Sequence, residues 1–219
     1  MPYPVSIVID PQLERRNRLT VAFRLILAIP HAILVGPIVG ASRAGSMGLL
    51  AAASFVLAIV SWFTILVNGE HIKGIRDFSL YYLRWRARAM AYMALFVDPY
   101  PPFGDAPYAV SVDVIDPPVP RDRLTVALRL PLAIPHLIVL FFLLIGWLVT
   151  SVIAWFAILF TGSYPSSFYP FGAGVMRWVL RVEAYLLLLV DDYPPFVLDE
   201  RVVDQGEGHQ GGLRQESRS

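Results

Sequence analysis

The feature that most constrains this chain is a sequence pattern that it contains twice. Fourteen residues that begin at Arg18 return from Arg123, with 12 of the 14 positions identical. Residues 62–69 return as 155–162, and the Arg, Trp, Tyr and Pro-Pro-Phe positions that follow return in the same order. A repeat of about 100 residues is too long for a solenoid unit, so it predicts two copies of one fold unit.

The two copies, at residues 1–104 and 105–204, are expected to lie in a membrane. With 56% hydrophobic residues, the chain is more apolar than ordinary soluble domains. No charged residue occurs in the 47 positions between Arg129 and Arg177. About 20 helical residues cross a bilayer core, so this stretch is long enough for two crossings. In the first copy, two uncharged runs are separated only by Arg43, and they also predict two crossings.

The spacing between the repeated His and Trp residues indicates helical hairpins. They are 31 residues apart in the first copy and 19 in the second, and the surplus is rich in Gly and Ser, as loops are. An insertion is tolerated at a hairpin tip better than inside a spanning helix. The sequence therefore predicts transmembrane hairpins at 18–68 and 123–161, the second with a tight turn near Ile145 and Gly146.

A shorter helix that carries arginines is predicted after each hairpin, at 80–97 and 172–190. Its first half holds two Arg residues one turn apart, and its second half is apolar. It could cross the membrane, insert halfway or lie along the surface, so four and six crossings both stay open. The basic residues cluster at the hairpin bases, and the positive-inside rule then puts these bases and the N-terminus in the cytoplasm.

Three short segments with alternating polarity predict strands, at 3–10, 108–116 and 196–204. Lipid does not tolerate an open sheet edge, so the strands must lie in water or at the interface. The polar tail at 205–219 has no periodicity and is expected to be disordered. The expected fold is an all-α membrane protein with two tandem repeats of a transmembrane hairpin plus an Arg-bearing helix, and short extramembrane strands.

The strongest candidates for a functional site are His31 and His136, which occupy the same place in both copies. Each follows an arginine, Arg24 or Arg129, by seven positions, which places the pair on one helical face. Pseudo-symmetry could bring the two His together as a proton relay or half of a metal site. Two His do not complete a zinc site, so no metal or cofactor is predicted. Alternatively, each His is structural and bonds a backbone carbonyl that the neighbouring Pro leaves free.

Arg181 and Glu183 complete the candidate polar site. An ionisable residue inside a spanning segment costs at least about 2.5 kcal/mol, so each needs a partner. Candidate partners are Asp98, Asp191, lipid phosphates or an anionic substrate; alternatively, the Arg side chains reach the headgroups. Four tryptophans are predicted to be anchors at the membrane interface: Trp62, Trp85, Trp155 and Trp178.

No motif for catalysis is present: the sequence contains no phosphate-binding Gly loop and no nucleophile elbow. Catalytic residues are therefore not predicted, and a non-enzymatic protein is favoured. The basic residues follow the membrane edges, so the expected partners are the lipid bilayer and other membrane proteins, and not nucleic acid.

Four motifs in the second copy resemble the bacterial membrane family called domain of unknown function 4389. They are Leu-Ala-Ile-Pro-His at 132–136, Trp-Phe-Ala-Ile-Leu-Phe-Thr-Gly at 155–162, an Arg-Trp motif at 175–185 and Asp-Asp-Tyr-Pro-Pro-Phe at 191–196. The first copy keeps shorter versions of them. The resemblance implies an integral protein of the inner membrane, typical of actinobacteria and their relatives, and implies no particular activity.

Three functions remain open at this point. The first is a membrane accessory or scaffold subunit of an envelope or lipid-handling complex. The second is a small transporter or lipid-binding protein with its site at the interface between the two copies. The third is a membrane enzyme that uses His31 and His136.

Overall fold

The computed structural model describes residues 3–36, 48–104 and 106–198. The described chain is mostly helical, with one two-stranded sheet. The expected disordered tail and most of the third expected strand lie outside the described residues. The elements are, in chain order, β1 (Val5–Ile9), α1 (Arg18–Ala22), α2 (Arg24–Leu27), α3 (Ile29–Val35), α4 (Leu49–Asn68), α5 (Lys73–Met93), β2 (Val110–Val114), α6 (Arg123–Ala127), α7 (Arg129–Thr161), a 3-10 turn (Ser166–Phe168) and α8 (Tyr169–Leu186).

The second copy contains one long helix where the sequence predicted a hairpin. Helix α7 runs without interruption through Ile145 and Gly146, so the predicted turn is wrong. A Gly inside a helix costs only about 1 kcal/mol relative to Ala, and the neighbouring apolar residues keep the helix continuous. A Cβ atom on Gly146 would lie 3.3 Å from the ring of Phe171 on α8. Gly146 is therefore a position of close helix packing.

A pseudo-twofold axis relates the two copies and passes through the sheet. Strands β1 and β2 pair antiparallel with Ile7 opposite Val112, which occupy the same position in their respective copies. Arg84, in the middle of α5, donates to the Val112 carbonyl at 3.1 Å. Arg177, in the middle of α8, donates to the Ile7 carbonyl at 3.2 Å. The sheet therefore lies across the middle of both Arg-bearing helices, and each helix binds the strand of the other copy.

The copies also exchange contacts at the far ends of the molecule. The indole of Trp62 on α4 donates to the Val126 carbonyl, and the indole of Trp155 on α7 donates to the Val21 carbonyl, both at 2.9 Å. Val21 and Val126 are equivalent positions of the repeat. Because α7 begins just after Val126 and reaches Val21 near its C-terminal end, the pseudo-twofold axis passes beside α7, level with a point between its two ends.

The first copy follows the path of α7 with one interruption, instead of forming the predicted hairpin. Arg24, His31 and Trp62 make the contacts that their counterparts on the single helix α7 make, so α2, α3 and α4 follow an equivalent line. Gly36 and Gly48 lie side by side at the junction, where a Cβ atom on Gly48 would overlap the Gly36 backbone nitrogen. The surplus residues between them lie outside the described part of the chain. We call α2–α4 the first rod and α7 the second rod.

The Arg-bearing helices α5 and α8 end four residues earlier than predicted. Leu95 and Leu188, which follow them, adopt positive φ angles of 65° and 62°, and the chain turns there. The Leu95 carbonyl accepts a hydrogen bond from Arg16 at 2.7 Å, and the Leu188 carbonyl accepts from Arg121 at 3.1 Å. These hydrogen bonds offset the cost of left-handed backbone at a residue with a side chain.

The core lies between the sheet and the rods. The inward side chains of β1 and β2 pack on α5 and α8, whose small residues allow close contact. The rods pack against the same two helices, α4 against α5 and α7 against α8. Helix α8 is the most enclosed element, with 11 of its 18 residues buried.

Two of the described helices, α4 and α7, are long and apolar enough to cross a membrane. The most apolar 18-residue segments of these helices have mean hydropathies of 2.4 and 2.8, and only 17% of each segment is buried in the protein. A core helix of a soluble protein would be mostly buried. Helices α5 and α8 are long enough to cross a membrane, but their composition, with several charged residues each, sets them apart from α4 and α7.

Candidate functional site

An aspartate at one end of the molecule is enclosed by two arginines of the first copy. Asp98 lies 2.7 Å from Arg16 and 2.8 Å from Arg24, whose side chains are 0% and 2% exposed. The Arg24 guanidinium also lies over the ring of Tyr92, 4.0 Å from its centre. Burial lowers the pKa of Arg16, and the Asp98 carboxylate opposes that shift. Arg24 therefore binds a carboxylate of its own copy.

The second copy repeats this cluster at the opposite end. Asp191 binds Arg121 and lies 2.9 Å from Arg129, which covers the ring of Tyr185. Asp98 and Asp191 were candidate partners from the sequence, whereas Arg16 and Arg121 were not singled out. One feature of the sequence could have identified these two arginines: each immediately precedes an Asn or Asp that caps a helix.

The histidine of the first copy is completely buried in an aromatic cluster. His31 Nδ1 accepts a hydrogen bond from the Trp85 indole at 3.0 Å. Its ring stacks on Phe103 of the Pro-Pro-Phe motif at 4.9 Å, with the planes 12° apart. Because Nδ1 acts as the acceptor, this network assigns the proton of a neutral ring to Nε2.

The second histidine lies in an equivalent cluster within its own copy. His136 accepts from the Trp178 indole at 3.1 Å and stacks on Phe196 at 4.0 Å. The two histidines are thus held by separate sets of side chains and do not form one shared polar site. Each cluster instead holds the Pro-Pro-Phe motif against the rod.

Glu183 forms the central ion pair between the copies. Its carboxylate accepts from Arg86 at 2.6 Å and from the Tyr82 hydroxyl at 2.7 Å, both on α5. Burial alone would lower the pKa of Arg86, but Glu183 and Tyr82 together outweigh that effect and the pKa is raised. Burial and the adjacent carboxylate raise the pKa of Tyr82, so Tyr82 remains a donor. Arg181 lies outside this group and donates to the Val197 carbonyl at 3.5 Å.

A groove of about 740 Å³ lies between α4 of the first copy and the N-terminal half of α7. Its walls are apolar and include Phe55 and Ala58 on α4 and Leu137 on α7. Its floor is formed by α5 and α8, and carries the Arg86–Glu183 ion pair. Sequence reasoning missed Arg86, because the second copy has Val179 at the equivalent position.

The groove opens on the side of the molecule opposite to the sheet. On α5, Arg84 binds the sheet, whereas Arg86 lines the groove. On α8, Arg177 binds the sheet, whereas Val179 lines the groove. Two residues correspond to about 200° of rotation on a helix, so the sheet and the groove lie on opposite faces of α5 and α8.

The structure brings only part of the predicted site together. Arg129 and Glu183 line the groove, whereas His31, His136, Arg24 and Arg181 lie outside its lining. Of the predicted anchors, Trp62 and Trp155 are half-buried and bind the other copy, as described above. Trp85 and Trp178 are buried against the histidines, away from the surface. Within the described residues, no cluster of three or more His, Asp or Glu residues could hold a metal ion.

Comparison with known proteins yields one family. The family model described as Domain of unknown function (DUF4389) matches residues 44–104 and again residues 123–197, which together make up more than half of the chain. The two matches correspond to the two copies of the repeat. No curated protein and no solved structure matches the chain.

Proposed function

The chain belongs to the domain of unknown function 4389 family, with one copy of the domain in each half, and we propose from its geometry that it is a membrane protein. In this proposal, it binds the apolar chain of a lipid in the groove between its two copies. The groove is the observation that carries this proposal. Its volume of about 740 Å³ is typical of ligand sites, which are mostly apolar with a few fixed polar groups. Membrane proteins built from repeats often bind ligands at the repeat interface.

The floor of the groove favours an apolar ligand over an anionic one. Glu183 is already satisfied by Arg86 and Tyr82, and Arg129 is already paired with Asp191. A ligand therefore meets charges that neutralise one another and walls that are almost entirely hydrocarbon. An acyl or isoprenoid chain fits this surface, with its headgroup outside the groove.

The proposed location is the inner membrane, with the sheet and the N-terminus on the cytoplasmic side. The exposed apolar surface of α4 and α7 supports contact with lipid. The basic residues around Arg18 and Arg123 support contact with anionic headgroups. The bilayer is thus the principal partner in this proposal, and nucleic acid is not a partner.

A substitution that fills the groove tests the proposal. Ala58 lines the groove, whereas Ala52 lies on the exposed surface of the same helix. We expect protein purified in mild detergent to retain lipid, the Ala58→Phe variant to lose it, and the Ala52→Phe variant to retain it. Native mass spectrometry measures the bound lipid. Equal lipid retention by all three proteins would contradict binding in the groove.

The second candidate function is an accessory or scaffold subunit of an envelope or lipid-handling complex. The observation that favours it is the enclosure of His31 and His136 in separate aromatic clusters, where both serve to hold the chain together. Cross-linking in cells followed by affinity purification tests it. A reproducible set of membrane proteins supports a subunit role, and recovery of the chain alone counts against it.

A further inference from the structure

The two faces of the molecule differ sharply in polarity. The outward residues of the sheet are mostly polar, and Asp113 among them is 75% exposed and pairs with Arg84. Asp116, just after the sheet, is 78% exposed and binds Arg76. The rods, in contrast, expose large apolar side chains along their whole length. The groove opens on the side away from the sheet, between the rods.

The sheet lies level with the middle part of α7. The pseudo-twofold axis passes through the pairing of Ile7 with Val112, and it exchanges Val21 with Val126, which mark the two ends of α7. If α7 crossed the bilayer, the outer face of the sheet would be at mid-depth. Asp113 would then meet lipid tails, where unpaired backbone edges and charged side chains are very unfavourable.

We propose that the protein inserts into one leaflet only, with both rods lying in the plane of the membrane and the sheet in water. This inference rests on the proposed contact with the membrane, and it does not require a lipid in the groove. It assigns the leaflet as the partner of the face formed by the rods. The exposed basic residues beside both ends of α7, Arg18 and Arg123, then reach the headgroups of the same leaflet.

The dimensions of the rods agree with this arrangement. Helix α7 has 33 residues and is about 50 Å long, well beyond the hydrocarbon thickness of about 30 Å. A helix with its side chains is about 10–12 Å wide, which fits within one leaflet of about 15 Å. Only a narrow stripe of α7 is buried in the protein, and the exposed remainder is apolar. Such a helix is stable when hydrocarbon surrounds it. Insertion of the rods into one leaflet also places the groove among acyl chains.

Labelling of single cysteines tests the orientation, because the natural chain contains no cysteine. Glu14 lies beside the C-terminal end of α7, since the neighbouring Leu13 carbonyl accepts from Tyr164. Glu70 lies at the opposite end of the molecule, beside the C-terminus of α4. With a membrane-impermeant maleimide and sealed membranes, we expect Glu14→Cys, Glu70→Cys and the sheet variant Ser111→Cys to react from the same side. Reaction of Glu14→Cys and Glu70→Cys from opposite sides would overturn the proposal.

A depth measurement provides a second test on α7 itself. Nitroxides attached through Leu130→Cys, Ile145→Cys and Phe160→Cys are expected at similar depths, accessible to oxygen and shielded from a water-soluble nickel complex. In a crossing helix, neighbouring members of this series would differ by roughly 22 Å along the helix axis. A graded depth would refute insertion into one leaflet. Free access of the nickel complex to Ile145→Cys would refute contact of this face with lipid, whatever the groove binds.

Discussion

The two charged clusters at the ends of the molecule make a quantitative prediction about stability. Asp98 is the shared counter-charge of Arg16 and Arg24, and all three side chains are removed from water to a large extent. The Asp98→Asn substitution keeps the shape of the side chain and one carbonyl acceptor but removes the charge. Two buried guanidinium groups would then remain without a counter-charge.

The expected cost follows from the burial of these arginines. Removal of one partner from a buried ion pair costs about 3–5 kcal/mol, and the acceptor that Asn retains places the expected loss near 3 kcal/mol. The pseudo-twofold axis predicts the same loss for Asp191→Asn, whose partners are arranged alike. Because the clusters lie at opposite ends of the molecule, the double variant should lose about the sum of the two.

Reversible unfolding in mixed micelles, followed by tryptophan fluorescence, measures these free energies. Asp122→Asn is the matched control, because Asp122 caps α6 and its counterpart in the first copy is already Asn17. It should change stability by less than about 0.5 kcal/mol, since Asn and Asp are equivalent caps. A loss below about 1 kcal/mol for Asp98→Asn or Asp191→Asn would refute the reasoning, as would a large difference between them.

Three further single substitutions probe the packing of the helices. Trp178→Phe should lower the free energy of unfolding by about 1–3 kcal/mol, because it leaves His136 Nδ1 buried without a donor. In thermal unfolding, the double variant with His136→Phe should recover part of that loss. No recovery would argue against the hydrogen bond. Gly172→Ala should cost about 1–3 kcal/mol, because its Cβ would lie 2.8 Å from the Trp147 indole nitrogen. Gly74 on α5 has open space around it, so Gly74→Ala should instead stabilise the protein by about 0.5–1 kcal/mol. Equal effects of the two Gly substitutions would contradict the close contact of Gly172 with Trp147.

The repeat was the part of the fold that could be predicted best from the sequence. Identical residues at equivalent positions make identical contacts, so the pairing of Arg24 with Asp98 could be expected once Arg129 and Asp191 were considered. The strands were also predictable, because alternation of polarity reports directly on a half-buried sheet. These features depend on local patterns or on similarity between the copies.

The hairpins could not be predicted correctly, because composition does not distinguish a turn from a close helix contact. Gly146 lies in an apolar run where either outcome is possible, and the approach of Phe171 decides it. The ion pair between Arg86 and Glu183 was missed for a different reason. It has no counterpart under the pseudo-twofold axis, so comparison of the two copies did not identify Arg86 as the partner of Glu183.

The exchange of contacts between the copies leads to a last prediction, about the second copy alone. Its strand β2 pairs with the equivalent strand of the first copy, and Trp155 binds the carbonyl of Val21, which is equivalent to Val126 of its own copy. A fragment that begins at residue 106 therefore carries both sides of the interface. We expect it to form a homodimer in detergent, with Val112 opposite Val112, as a disulfide between Val112→Cys residues would detect. A folded monomer of this fragment would contradict the prediction, because it would show that the second copy folds without the contacts that the two copies exchange.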